Sequence, residues 1–405
     1  MDPLARKLKR DLTVEEQLAR GPLDLPFLML VVMLTSIGVI MMFSASYAEA
    51  LYELENPTYY FMRQGLFAVA GLVIMYVVSK INYQTLRWLS VLALMGSIFL
   101  LILVKVPGIG DSAGGANRWI RAIGPLPRWQ PSEAAKLGVI LYFSARLSKR
   151  HTEKKRKFDL RKPSGRVLRF LDHIGFLELL PYGAILGVIA LLLLWEPHLS
   201  ATILILAIGA SILFAAGIHL GWFALGGGLM GAALWVVANA TSYMADRLAI
   251  WKNPWSDMQG DGYQIVQSLY AIGSGGLLGL GLGNSRQKFL YLPELQNDYI
   301  FPIICEELGF VGAAMVLVLF ALLIIRGYWL ALHARDRFGA LLAVGVTTQV
   351  AVQVFLNIGV VTNLLPPTGI SLPFFSYGGT ALVIQLVEMG IVLGVSRQIP
   401  APRAG

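Results

Sequence analysis

About ten apolar runs, each long enough to cross a lipid bilayer as a helix, occupy most of this chain. They cover residues 25–44, 61–78, 86–103, 132–147, 179–195, 201–217, 220–238, 300–325, 340–361 and 381–395. Hydrophobic residues make up 56% of the chain and charged residues only 14%, which is too little charge to cover a water-soluble domain of 405 residues. The predicted fold class is therefore an all-α polytopic membrane protein.

The basic residues predict the orientation. They cluster in the N-terminal tail and in every second connection, so the positive-inside rule makes those parts, and both termini, cytoplasmic. The predicted organisation is a basic tail (1–24), a single transmembrane domain (25–397) with a basic cytoplasmic loop (148–178), and a second tail (398–405). Long extracytoplasmic loops are predicted at 107–131, at 362–377 and, between spans seven and eight, at 241–299. The net charge of +9 follows this topology and predicts no nucleic-acid partner.

Several site classes are not indicated. Cys305 is the only cysteine, and the five histidines are scattered without the spacing of metal ligands, so no protein metal site is predicted. The run from Gly273 to Gly283 contains G-x-G spacings, but no strand precedes it. It is therefore not predicted to cradle a nucleotide.

Ionisable residues inside apolar runs are costly, so each is a candidate for function. Glu133 and Lys136 lie three residues apart on one face of the fourth span. Two interpretations stay open: a structural ion pair, or a site where the lysine binds phosphate. Glu306 and Glu307 begin the eighth span; we expect one to pair with an intramembrane base and the other to orient the outer loop.

The loop 241–299 mixes acids, bases and aromatic residues, a composition typical of a saccharide or phosphate site. Asp298 lies where this loop re-enters the membrane, where a carboxylate can act as a general base. Asn297 and Asp298 are also good helix caps, and spacing alone favours capping.

Taken together, the motifs resemble one family along nearly the whole chain. They are Ser44-Ala45-Ser46, Ala116 to Ile120, Gln130 to Glu133 with Lys136, Asp261 to Gln264 with Gln267-Ser268, Gly273 to Gly283, Leu292-Pro293-Glu294, Asn297 to Phe301, Glu306 to Gly309, and Leu372 to Gly379. The chain resembles the SEDS proteins (shape, elongation, division and sporulation), which include FtsW, RodA and SpoVE. Asn56 to Phe61, Arg63-Gln64 and Thr380 look more like the FtsW and SpoVE branch. Glu196 to Ser200 departs from the usual pattern.

The resemblance implies a peptidoglycan glycosyltransferase that polymerises lipid II on the outer face of the bacterial inner (plasma) membrane. It implies that Asp298 is the catalytic base and that Glu133, Lys136, Arg118 and Trp119 bind substrate. The other predicted substrate-binding residues, from the same motifs, are Gln130, Ser132, Gln264, Gln267, Ser268, Glu294, Ser376 and Tyr377. The leaving diphosphate needs positive charge, from basic residues or from a divalent cation such as Mg²⁺ or Mn²⁺.

The family works with a class B penicillin-binding protein, a transpeptidase, so such a partner is expected, along with other membrane proteins of division or elongation complexes. Two other functions stay open. A lipid II flippase requires charged residues along a route through the bilayer, whereas here they gather near the outer loops. A scaffold that only recruits the transpeptidase predicts that the outer-loop acids are dispensable.

Overall fold

The structure, a computed structural model, describes residues 21–113, 116–122, 128–150, 169, 175–240, 242–260, 262–293 and 295–399. Most of them are helical. The helices are α1 (Leu25–Leu54), α2 (Tyr59–Lys80), α3 (Leu86–Leu103), α4 (Pro131–Leu147), α5 (Phe176–Trp195), α6 (Leu199–Ala215), α7 (Leu220–Ala240), α8 (Ser242–Lys252), α9 (Tyr263–Ser274), α10 (Ile300–Leu332), α11 (Arg337–Val361) and α12 (Gly379–Ser396). Short 3-10 helices cover Tyr83–Thr85 and Pro254–Asp257.

Each apolar run of the sequence falls in one helix, in the order α1 to α7 and then α10 to α12. Within the described part of the chain, seven helical segments are both long and apolar enough to cross a membrane. The prediction of a helical polytopic membrane protein is confirmed. The number of spans and their orientation stay predictions.

Burial distinguishes central helices from peripheral ones. The most apolar stretches of α11 and α12 are 67% buried, whereas those of α2, α3 and α5 are 22% buried. Helix α11 contacts α4, α6, α10 and α12, and α12 packs along α2. Because peripheral helices expose large apolar side chains, their outer faces suit lipid. The central helices α11 and α12, together with α4, enclose the polar residues described below.

A short antiparallel hairpin accompanies the helices. Strands β1 (Gly110–Ala113) and β2 (Ala116–Ile120) pair so that Asp111 faces Trp119, and Ile120 forms a further bridge with Trp129. This hairpin lies within the predicted loop 107–131. Backbone groups of an extended segment need hydrogen-bond partners, and pairing the two halves of the connection supplies them. Because the loop is rich in glycine and proline, its sequence did not predict these two strands.

The predicted loop 241–299 is largely structured: it contains α8, the Pro254–Asp257 turn and α9. Beyond it, α10 is kinked at Gly309, whose φ of 67° and ψ of −170° interrupt the helix. Most of the predicted tails 1–24 and 398–405, and of the predicted loop 148–178, lies outside the described residues.

Candidate functional site

An acid–base pair lies at the beginning of α4. Pro131 occupies the first turn, where its fixed φ favours a helix start, and Gln130 is at the N-cap. One turn further on, Lys136 Nζ lies 2.6 Å from Glu133 Oε2. The lysine side chain is 1% exposed and the glutamate 12%. The structural ion pair, one of the two open interpretations, is therefore present.

Glu133 also lines a cavity that is partly open to the outside. The other walls come from α11, from α12 and from the connection between them. The lining residues are Glu133, Gln353, Ser371, Leu372, Pro373, Phe374, Ser376, Tyr377, Gly378, Ala381, Leu382 and Gln385. Three of the predicted substrate-binding residues, Glu133, Ser376 and Tyr377, thus meet at one cavity.

Several buried polar atoms around this cavity are unsatisfied. Ser132 Oγ, Gln353 Oε1 and Gln385 Nε2 have no hydrogen-bond partner among the described residues. A buried polar group without a partner costs about 1–3 kcal/mol, so such atoms suit a place where water or a polar ligand completes the bonding. The cavity is therefore suited to a polar ligand.

The connection between α11 and α12 is held in a fixed shape. Ser376 Oγ accepts a hydrogen bond from Leu372 N at 2.7 Å, and Ser376 O accepts one from Gln64 Nε2 at 3.1 Å. The Tyr377 ring lies edge-on to Tyr60, with ring centroids 5.0 Å apart. Burial raises the pKa of the Tyr377 hydroxyl and the neighbouring Arg63 opposes this rise, so the phenol stays neutral.

Asp298 does not occupy the capping position of α10. The N-cap residue is Tyr299, whose side chain makes no capping hydrogen bond. The half-buried Asp298 instead lies against Gly369, where a Cβ would come within 3.1 Å of Asp298 Oδ2. Gly369 has a φ of +68°, a conformation that favours glycine. The carboxylate thus faces the connection between α11 and α12.

Two sets of hydrogen bonds join the Asp298 segment to the connection that lines the cavity. The Asn357 amide donates to Asp298 O at 2.8 Å and to Ile370 O at 2.6 Å. Tyr377 N donates to Gln296 O at 2.6 Å. Residues 296–298 are consequently fixed on the segment whose next residues, 371–378, line the cavity.

Arg118 and Gln130 lie at a second polar cluster, beside the short connection between α5 and α6. Arg118 Nε donates to Glu196 O at 3.4 Å, and Gln130 Nε2 lies 3.4 Å from His198 Nε2. Both carboxylate oxygens of Glu196, and His198 Nδ1, are buried without a hydrogen-bond partner in the described part of the chain.

The electrostatics of this connection follow from burial. Burial raises the pKa of Glu196 to about 7, although Lys105 and Arg118 oppose the change. Burial also lowers the pKa of His198 to about 3, and Arg118 and Lys136 add to that effect. His198 is therefore neutral near pH 7. Sequence reasoning treated Glu196 and His198 only as a departure from the family pattern; the signal that could have found them is two ionisable residues between adjacent apolar runs.

The remaining predicted site residues are dispersed. Trp119 is half-buried on β2, and Gln267 is half-buried on α9. Gln264 Nε2 donates to Pro293 O at 3.2 Å. Ser268 is fully buried, and its hydroxyl donates to Val361 O at 2.7 Å. Glu294 lies outside the described residues.

A second buried acid–base group holds the beginning of α10. Glu307 accepts hydrogen bonds from Ser44 Oγ at 2.7 Å and from Lys288 Nζ at 3.3 Å. Glu306 accepts one from Arg286 N at 3.0 Å and another from Ser285 Oγ. Glu307 thus pairs with Lys288, a base of the segment 241–299 and not of a transmembrane run as expected, while Glu306 holds the preceding loop.

The described residues offer few ligands for the predicted divalent cation. Among the described residues, no group of three or more His, Cys, Asp or Glu side chains lies close enough to hold a metal ion. At the cavity, Glu133 is the single carboxylate, and the other polar donors are amides and hydroxyls. This donor set does not fit a metal ion held by protein ligands alone.

These observations define a class: a polytopic helical membrane protein with a cavity at one end of its central helices, and a carboxylate, Asp298, whose segment is hydrogen-bonded to the connection that lines this cavity. The chain belongs to the FtsW/RodA/SpoVE family of cell cycle proteins, whose model matches residues 25–400.

Individual relatives agree with this assignment. The chain is 38% identical to "Probable peptidoglycan glycosyltransferase FtsW" of Geobacter sulfurreducens, over 93% of this chain and 95% of that protein. It is 39% identical to "Stage V sporulation protein E" of Bacillus subtilis, over 92% and 97%. A chain of the solved structure described as "Structural coordination of polymerization and crosslinking by a peptidoglycan synthase complex" matches with a TM-score of 0.70 and 28% identity, over 93% of this chain and 98% of that one. The placement near FtsW and SpoVE agrees with the sequence prediction.

Proposed function

We propose that this chain is a peptidoglycan glycosyltransferase of the bacterial plasma membrane, which polymerises lipid II during division or wall growth. The names of its relatives support the activity. The structural observation that carries the proposal is the attachment of the Asp298 segment to the connection that lines the Glu133 cavity. A proton acceptor is thereby held next to a polar cavity.

Asp298 is the proposed general base. The 4-hydroxyl of the acceptor sugar gives its proton to the carboxylate while its oxygen forms a bond to the anomeric carbon of the donor sugar. The bond between that carbon and the diphosphate oxygen breaks, and the electron pair leaves with the diphosphate. A single displacement of this kind inverts the anomeric centre, and it needs one base, without a second paired carboxylate.

Lys136 is the proposed partner of the leaving diphosphate. Its charge is balanced by Glu133, and that carboxylate lines the cavity. An incoming diphosphate competes with Glu133 for the ammonium group, and the buried position strengthens the resulting attraction. Arg118, which is bonded to the carbonyls of Glu196 and Pro197, supplies a second positive charge. A divalent cation remains a proposed addition, and no step above depends on it.

The other predicted contacts divide by position. Ser376 and Tyr377 at the cavity, with Ser132 and Gln130 at the start of α4, are proposed to bind the sugar–diphosphate region. Trp119 is proposed to pack on a sugar ring from the hairpin. Gln264, Gln267 and Glu294 are proposed to bind substrate from the segment 241–299.

The proposed topology has about ten spans, both termini in the cytoplasm and the segment 241–299 outside. The basic tail, the loop 148–178 and the domain limits of the sequence prediction are kept. A class B penicillin-binding protein is the proposed partner, together with other membrane proteins of the division or elongation machinery. The description of one structural neighbour as a synthase complex that couples polymerisation and crosslinking supports the transpeptidase partner.

The alternative function is a lipid II flippase. The observation in its favour is Glu388 in α12, a fully buried carboxyl that accepts a hydrogen bond from Gln349 Nε2 at 2.6 Å. Purified chain with its transpeptidase partner, supplied with lipid II, distinguishes the two functions. Glycan strands resolved on a gel support the polymerase. Movement of labelled lipid II between leaflets without strand formation contradicts it.

A further inference from the structure

The glycine-rich segment, residues 275–283, replaces hydrogen bonds that the kink in α10 breaks. Leu280 N donates to Glu306 O at 2.9 Å, and Gly281 N donates to Glu307 O at 3.0 Å. In an uninterrupted helix those carbonyls would accept from residues 310 and 311. The amides of Phe310 and Val311 instead donate to Gly276 O at 2.9 Å and to Leu277 O at 3.1 Å. Four backbone bonds therefore join the segment to the two halves of α10.

This junction is too close for side chains. A Cβ on Gly275 would lie 1.9 Å from Cys305 O, and one on Gly279 would lie 2.1 Å from Glu307 O. Gly279 also has a φ of +79°. The segment is thus fixed against α10, so the depth of the kink in the membrane also sets the depth of the segment.

The side chains of the segment point away from the protein. Leu277, Leu278 and Leu282 are 72%, 81% and 58% exposed, and no charged residue occurs between Gly273 and Gly283. Their neighbours across the junction, Phe310 and Val311, are 67% and 56% exposed. Contiguous exposed apolar surface of this kind marks an interaction site.

The residues that follow place two polar side chains inside and three large apolar ones outside. Ser285 and Lys288 are buried against Glu306 and Glu307, whereas Phe289, Leu290 and Tyr291 are exposed, as are the polar Asn284 and Arg286. A loop in water does not normally bury a lysine while it exposes three large apolar side chains. Irregular backbone at membrane depth is tolerated where its hydrogen bonds are satisfied by protein, which the junction with α10 achieves.

We propose that residues 275–283 form a re-entrant element immersed in the acyl chains of the bilayer, in the leaflet next to the cavity. The occupant of its apolar face is lipid hydrocarbon, because this face is continuous with the exposed face of α10, the most apolar of the candidate spans. The segment then anchors Glu306 and Glu307 at a fixed depth, and the predicted extracytoplasmic loop 241–299 lies only partly outside the membrane.

The test uses the single cysteine of the chain. Cys305 is buried, and its replacement by alanine gives a background in which one new cysteine carries a nitroxide label. Leu278→Cys is the test site. Val318→Cys, on the exposed face of α10, is the lipid reference, and Ser256→Cys, exposed in the segment after α8, is the water reference. Each labelled full-length protein is placed in phospholipid vesicles, and collisions with oxygen and with a water-soluble nickel chelate are measured.

The proposal predicts that the label at 278 collides more with oxygen than with the nickel chelate, as at 318 and opposite to 256. A label at Leu282→Cys repeats the measurement within the same segment. Nickel collisions at 278 and 282 equal to those at 256 would place the segment in water and overturn the proposal. Low collision rates with both reagents would mean that protein, such as a partner helix or a second copy, covers the face, and would overturn it equally.

Discussion

The two buried acid–base pairs of this protein have the same chemistry but different surroundings. Lys136 and Glu133 lie 2.6 Å apart, and the glutamate is 12% exposed and lines the cavity. Lys288 and Glu307 lie 3.3 Å apart, and their side chains are only 3% and 0% exposed. Glu307 is further saturated by Ser44 and by the amide of Ser285.

The surroundings distinguish an ion pair at a ligand-binding site from an ion pair that only stabilises the fold. Around Glu307 the donors converge on the carboxylate and complete its hydrogen bonding, which is what a buried ion requires for stability. Around Glu133, the neighbouring Ser132, Gln353 and Gln385 have buried polar atoms that find no partner among the residues that the structure describes. The Lys288–Glu307 pair fixes the kinked beginning of α10. In the Lys136–Glu133 pair, the lysine is able to exchange its glutamate partner for a ligand.

The largest stability effect is expected at the Lys288–Glu307 pair. Glu307→Gln leaves Lys288 buried without a counter-charge, so the free energy of unfolding falls by roughly 3–5 kcal/mol. Chemical unfolding in detergent micelles measures the loss. Adding Lys288→Met to Glu307→Gln should restore part of it, because no unpaired charge then remains. Equal stability of Glu307→Gln and the native chain would contradict the assignment.

A large activity effect is expected at the Lys136–Glu133 pair. Lys136→Met removes a charge that stabilises the leaving diphosphate, so the rate of polymerisation falls by roughly 10²–10³. The loss of stability should be smaller than for Glu307→Gln, because Glu133 retains contact with the cavity. Lys288→Met is the matched control: it should lower stability more than Lys136→Met does. A Lys136→Met chain that polymerises at the native rate would contradict the substrate role assigned to the Lys136–Glu133 pair.

The helices were predictable because their signal is local. An apolar run of the right length specifies a membrane helix, and the spacing of Glu133 and Lys136 places both on one face of it. What local sequence could not show is the pairing of distant residues. Lys288 meets Glu307, and Ser44 reaches the same carboxylate from another helix, only because the glycine-rich segment fits into the kink at Gly309.

The same limit applies to the candidate site. Spacing alone favoured a capping role for Asp298, and the structure adds its packing against Gly369 and the attachments of its segment. Ser268 belonged to a family motif, but its burial showed that its hydroxyl is used in packing. Glu196 and His198 lie at the cluster because the tertiary fold brings their connection to Arg118 and Gln130, far away in the sequence.

Glu196 predicts a smaller, pH-dependent effect. Its pKa is raised from 4.5 to about 7 in the folded chain, so between these values the folded state keeps a proton that the unfolded state has lost. Stability therefore falls as the pH rises through this range. Glu196→Gln should reduce the fall of the melting temperature with rising pH, measured from about pH 5 to about pH 8. Identical slopes for both chains would refute the assigned shift.

Ser268 predicts the smallest effect. Ser268→Ala removes the hydrogen bond to Val361 O and leaves a buried carbonyl unpaired, which should cost about 1 kcal/mol of unfolding free energy. The Michaelis constant for lipid II should not change, because the hydroxyl packs α9 against α11. A large rise in that constant at unchanged stability would return Ser268 to the substrate site.

The most direct test of the central claim is the turnover of Asp298→Asn. Amide and carboxylate have nearly the same shape, so this chain should fold and bind lipid II normally, whereas its polymerisation rate should fall by roughly 10²–10⁴ through loss of the base. Asp257→Asn, which alters an exposed carboxylate of the same segment, is the control and should polymerise at the native rate. Native turnover by a folded Asp298→Asn chain would contradict the account.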